Sequence, residues 1–241
     1  MKNIARILAF ALPVVVAIQG CKKDNGPQPS SHEYYQPVKV GEWYRYAVDS
    51  SYWNHQNHVA GKVLYTLIEN YDTDVPNNAG KLETRIKIER IDAQPRRVVG
   101  FSYIQRFFNN AKQQYSVERV DGDVRYVLFR APLLVPDTFN RNSKNLLPAD
   151  IWKNMAVGVN GSGLGGNYEY TMRLTRFEHA DSLVVINDYE LYAFNVGMYK
   201  KERTYLLGRT DTANWQHIPV EQRIDTGFSY TKVMVDRGQI K

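Results

Sequence analysis

The chain has 241 residues, 43% hydrophobic and 12% aromatic, which is enough apolar surface for a real core of one all-β domain or two small ones. Lys and Arg outnumber Asp and Glu by 31 to 25, and these charges are interspersed rather than gathered into the basic patch that nucleic-acid binding needs. The single cysteine excludes an internal disulfide framework.

In chain order the first feature is a basic head, Lys2 and Arg6, followed by the apolar run Ile7 to Ile18, broken only by Pro13. A run of about 12 residues suits the apolar region of a signal peptide and is too short to cross a ~30 Å hydrocarbon core. A buried helix fits poorly, because the run has no polar face and no helical pattern follows it. Ile18-Gln19-Gly20-Cys21 resembles the lipobox of bacterial lipoproteins, with Gln19 in place of the usual small residue. The resemblance implies that residues 1–20 are a signal peptide and that Cys21, lipidated on its sulfur, begins the mature chain. The lipid bilayer is then a partner through acylated Cys21, two or more acyl chains giving stable anchorage, and Cys21 is no catalytic thiol. Lys22-Lys23-Asp24 resembles the start of Bacteroidota-type lipoproteins, which implies an outer-membrane address. Loss of Lys2 and Arg6 with the leader lowers the net charge from +6 to +4.

Residues 21–33 read as the lipidated cysteine and a flexible tether. Lys22 to Ser31 holds two prolines and no apolar residue, and at ~3.3 Å per residue it reaches up to ~30 Å. Residues 34–241 read as a β-rich globular domain, and the 17 tyrosines favour that, since such rings suit half-buried pleated surfaces. The stretch Pro37 to Ser50, with Gly41-Glu42-Trp43-Tyr44-Arg45-Tyr46-Ala47-Val48-Asp49 at its centre, resembles the first strand of many Bacteroidota-type lipoproteins, families with no agreed activity. Its alternation places Tyr44, Tyr46 and Val48 on one face.

Further strands are expected at Val59 to Glu69, Leu82 to Ile91 and Val98 to Phe108, with a loop from Tyr71 to Gly80 and a turn at Asn109-Asn110. In the second of these, Glu83, Arg85, Lys87 and Glu89 read as a solvated face. Val117 to Leu128 carries Asp121-Gly122 between two alternating runs and predicts a two-residue type I′ hairpin. Pro132, Pro136 and Pro148 then break the rhythm, and Ala149 to Met155 is open to a short helix or turn. Beyond the Gly-rich stretch 158–166, alternation returns from Tyr168, with a turn expected at Asn187-Asp188, a loop over Asn214 to Glu221 and a last strand or pair from Gln222 to Val235. No segment sustains a 3.6-residue period. The expected fold is all-β: an antiparallel meander curled into a barrel, a lipocalin-like half-barrel or a sandwich, with at most one short helix.

Candidate chemistry is sparse. Gly161-Ser162-Gly163-Leu164-Gly165-Gly166 has dinucleotide-loop spacing, but a strand rather than a helix follows, so a hairpin tip is the better reading. His55 and His58 are the only close histidine pair and lie among Asn and Gln, poor ligands for zinc or copper. Asp72 and Asp74 lack the ordered oxygen pattern of a calcium loop. No catalytic set, metal site or cofactor is expected. Trp43, Tyr44, Tyr46 and Trp53 are the candidate ligand-binding residues, against the alternative that they are plain sheet core. The leading expectation is a non-catalytic envelope module that binds a hydrophobic or glycan ligand or a protein partner. An envelope hydrolase acting on glycans and a structural subunit of an envelope complex are the alternatives.

Overall fold

The computed structural model describes residues 35–56, 59–92, 97–109, 114–131, 134–211 and 213–240. The lipobox-like segment, the tether, His32, His58 and Asn110 lie outside them. Among the described residues there are twelve strands: β1 (Glu42–Asn54), β2 (Val59–Pro76), β3 (Leu82–Ile91), β4 (Arg97–Asn109), β5 (Gln114–Asp121), β6 (Val124–Ala131), β7 (Asp137–Asn140), β8 (Ile151–Gly163), β9 (Gly166–Ala180), β10 (Val184–Ala193), β11 (Gly197–Gly208) and β12 (Ile224–Gln239). The expected loop near Asn214 contains two single 3₁₀ turns, at Trp215–His217 and Val220–Gln222.

All pairings are antiparallel, and the strand order is β6-β5-β4-β3-β2-β1-β12-β11-β10-β9-β8-β7. Every strand pairs with its sequence neighbour except at β6/β7, and β1 pairs with β12 from Glu42↔Gln239 to Asn54↔Thr226. The result is a meander wound into a nearly closed barrel, with essentially no helix. The seam falls in mid-chain. Residues 141–145 bridge it: the Val127 amide donates to the Arg141 carbonyl at 2.9 Å, and the Asn145 side chain donates to the Arg125 carbonyl at 2.7 Å. These bonds satisfy part of the β6 edge that would otherwise stay open.

Alternation sets the inner face. On β1, Tyr44, Tyr46 and Val48 are 2–3% exposed, while Arg45 between them is exposed. The hairpin at residue 122 is present, shifted by one residue from the expected turn. Asp121 pairs with Val124, so the loop is Gly122-Asp123, and of the two only Gly122 has positive φ, at 59°. That is the type II′ pattern, with glycine at the first central position. Nothing lies within 4 Å of a Cβ built on Gly122, so the backbone angle alone opposes a larger residue. Gly122→Val is expected to lower stability by roughly 1 kcal/mol or more; an unchanged melting temperature would argue against strain at this turn.

Four expectations change. Ala149 to Met155 is not helical: Ile151 onward is β8, which buries Trp152 and Asn154 and exposes Ile151, Lys153 and Met155. Asn187 and Asp188 lie within β10, and the chain turns instead at Asp181, whose Oδ1 accepts from the Leu183 and Val184 amides at 2.7 and 2.9 Å. The strand before the Asn77 turn runs on to Pro76, and Asn77 Oδ1 takes the amides of Ala79 and Lys81. The face of β3 read as solvated is partly covered: Glu83 and Glu89 are buried, Glu83 under Arg125 at 2.5 Å. The Gly-rich stretch is a hairpin tip, turning at Leu164-Gly165. Glycine there admits close rings, since a Cβ on Gly161 would sit 2.5 Å from the Tyr199 hydroxyl.

Candidate functional site

The barrel encloses a cavity of about 560 Å³, lined from β1, β2, β5, β6, β10, β11 and β12 and by Gln36. Its two ends differ. Tyr35 and Gln36 are buried at one end, where Gln36 Nε2 donates to the Tyr71 hydroxyl at 2.8 Å and Tyr35 packs edge-on against Phe194. Tyr46, Tyr192 and Met198 lie toward this closed end. Toward the other end, the lining residues Arg203 and Phe228 are exposed, which makes that end the mouth.

The walls carry buried charge. Glu69 on β2 accepts from Lys232 on β12 at 2.8 Å and from both terminal nitrogens of Arg119 on β5 at 3.4 Å. Arg119 Nε reaches Asp121 at 2.9 Å and the Ser102 hydroxyl at 2.7 Å, and Ser102 and Tyr126 both donate to Asp121. Burial pushes the Glu69 carboxyl up, but the Lys232 and Arg119 charges outweigh it and bring it down to about 2. Asp121 is held low in the same way, by Arg119 and its hydroxyl donors against burial. Lys232, with its ammonium 3.9 Å from the Tyr46 ring centre, is lowered chiefly by burial.

A second group stands beside the seam. Glu190 on β10 takes a bidentate pair from Arg141, whose Nη1 is at 3.0 Å, and also accepts from Lys201 at 2.9 Å and the Tyr192 hydroxyl at 2.8 Å. Arg141 lies over the Trp152 ring at 3.5 Å and donates to the Leu128 carbonyl at 3.3 Å, so it spans from β6 across the seam to β10. Burial opposes ionisation of Glu190, yet Arg141 and Lys201 hold its carboxyl well below the usual range.

Of the four aromatic candidates, only Tyr46 lines the cavity. Tyr44 is on the same face but is packed as core, edge-on to Tyr71, with its hydroxyl donating to Glu42 at 2.9 Å. Trp43 and Trp53 fall on the other face of β1: Trp43 lies under Arg45 and against Gly238, and Trp53 is half-buried. Asp72 and Asp74 are engaged with Arg85 and Thr84. Among the described residues, no group of three or more His, Cys, Asp or Glu side chains is placed to hold a metal ion.

The charged lining was not singled out from sequence, although a signal existed. Glu69 shares parity with Leu67 and Tyr71, Glu190 with Tyr192, and Lys232 with Tyr230 and Met234. In an alternating strand, charges in step with aromatics mark an inner face that is itself polar. No family model, curated protein or solved structure matches this chain, so its site is defined by its own geometry: a half-open barrel chamber with paired charges in its walls.

Proposed function

We propose that the protein is a lipid-anchored binding module of the bacterial envelope, held at the outer membrane through acylated Cys21, whose barrel takes up a small ligand through its mouth. The observation that carries this reading is the cavity of about 560 Å³, closed by Tyr35 and Gln36 at one end and open at the other. Its volume lies within the roughly 300–1,000 Å³ of small-molecule sites. The buried ions and tyrosine hydroxyls favour a polar, glycan-sized ligand over an acyl chain, which would leave them without partners.

Binding is favoured over hydrolysis by the state of the acids. Glycosidases need one carboxyl protonated and one ionised, and Glu69, Asp121 and Glu190 are all held ionised by neighbouring cations. The anchor is tested by Cys21→Ser, which is expected to abolish fatty-acid labelling and move the protein from membrane to soluble fractions; labelling that persists overturns the anchor. The cavity is tested by native mass spectrometry of protein purified from its own envelope, where a retained small molecule is expected and a bare polypeptide counts against uptake.

A further inference from the structure

The inner walls hold one feature that plain structural pairing does not explain. Lys201 on β11 and Lys232 on β12 are direct cross-strand partners, and both line the cavity. Side chains directly opposite on neighbouring strands stand about 5 Å apart at Cβ, where like charges are destabilising. Each lysine has one carboxylate, and neither carboxylate is its own. Glu69 is shared with Arg119, and Glu190 is shared with Arg141. Asp121 is taken by Arg119, Ser102 and Tyr126.

Counting around the two lysines, Arg119, Arg141, Lys201 and Lys232 face Glu69, Asp121 and Glu190, which leaves one positive charge unmatched. Hydrogen-bond capacity agrees. Each ammonium has three N–H donors, and among the described residues each meets one oxygen, at 2.9 Å for Lys201 and 2.8 Å for Lys232. Two residues along β11 toward the mouth, Arg203 meets Asp188 at 3.5 Å and no other carboxylate among the described residues. Lys232 is buried and Lys201 half-buried; drawing an unmatched cation out of water is costly, and a negatively charged guest would supply the missing partner. Flat faces flank the pair: Tyr46 under Lys232, Tyr192 beside Glu190, and Tyr230 opposite Arg203.

We propose that the cavity binds a small organic anion, with its carboxylate or phosphate oxygens seated between Lys201 and Lys232 and its body against the tyrosines. Arg203 at the mouth draws the anion in, and the closed end limits its length. This rests on the barrel being a ligand site and adds the class of ligand.

The test is titration calorimetry on the intact protein in detergent, with three probes of one shape: glucuronate, glucose 6-phosphate and uncharged glucose. At least one of the charged sugars is expected to bind, and glucose to bind at least roughly tenfold more weakly, as the loss of a charge-assisted hydrogen bond implies. The charged probe that binds more tightly tells carboxylate from phosphate. Lys201→Met, which leaves Glu190 its Arg141 partner, is expected to weaken anion binding roughly tenfold or more, and Lys201→Arg to restore most of it, with circular dichroism unchanged in both. If Lys201→Met does not fold, Arg203→Gln at the exposed mouth is used, with slower anion association expected. Glucose binding as tightly as the charged sugars overturns the proposal, as does anion binding indifferent to Lys201, or to Arg203 where that variant serves. Absence of binding by all three probes also overturns it. A neutral molecule retained in native mass spectrometry would then leave the barrel a ligand site of another class, whereas an empty barrel there would remove both readings.

Discussion

Replacing Arg141 by alanine is expected to destabilise the protein by roughly 3 kcal/mol, the low end of the cost of leaving one member of a buried ion pair behind. Both partners are inside: the Arg141 and Glu190 side chains are 6% and 2% exposed. The substitution removes two of the hydrogen bonds to Glu190, the contact over Trp152 and the bond to the Leu128 carbonyl. Lys201 and Tyr192 still reach Glu190, so the loss falls short of stranding a bare charge. Urea denaturation measures the effect as a drop in midpoint at unchanged slope. Arg141→Met with Glu190→Met is expected to recover most of it, because apolar replacement of a buried pair is often neutral or better. A single variant within about 1 kcal/mol of the parent would show that Arg141 does not hold the seam.

Acid should unfold the barrel well before it would unfold one with an apolar interior. Glu69 drops from its ordinary 4.5 to about 2 on folding. At 1.36 kcal/mol per unit, this contributes roughly 3 kcal/mol. The sign follows from proton uptake. Below pH of about 5 the unfolded chain binds a proton at this carboxyl that the folded chain refuses, so stability falls with pH until about 2, where the contribution is gone. Glu190 and Asp121 act in the same direction, both being held low in the fold. Melting temperatures taken from neutral to acid pH should fall steeply through this window. Glu69→Gln should flatten that slope while lowering the neutral-pH plateau. A parent profile flat down to about pH 3 would show that Glu69 is not held ionised by the fold.

The parts of this molecule that could be read from sequence are those fixed by local pattern. The alternation of β1, the hairpin at Gly122 and the all-antiparallel meander depend on residues a few positions apart. Closure does not. The pairing of β1 with β12 joins positions almost 200 residues apart, and no periodicity encodes it. The β8 strand was obscured by the prolines and polar residues before it, and only its pairing with β7 and β9 makes Trp152 an inward residue. The site was hidden for another reason. A period of two separates the two faces of a strand without saying which is wet. Glu69, Arg119, Glu190 and Lys232 each look like the solvated half of an alternating strand, and each points inward. The aromatic candidates divided on the same rule, with Tyr46 inside and Trp43 and Trp53 outside.

The union of the first and last strands dictates when the barrel can form. Synthesis delivers β1 long before its partner β12, which ends at Gln239. Until then the early hairpins can assemble only as an open ribbon, with one flank of β1 unpaired and charged groups destined for the interior still hydrated. The β1–β12 pairing must therefore wait for β12, and such distant contacts carry a high entropic barrier. During that interval the bare flank of β1 is an edge open to misassociation.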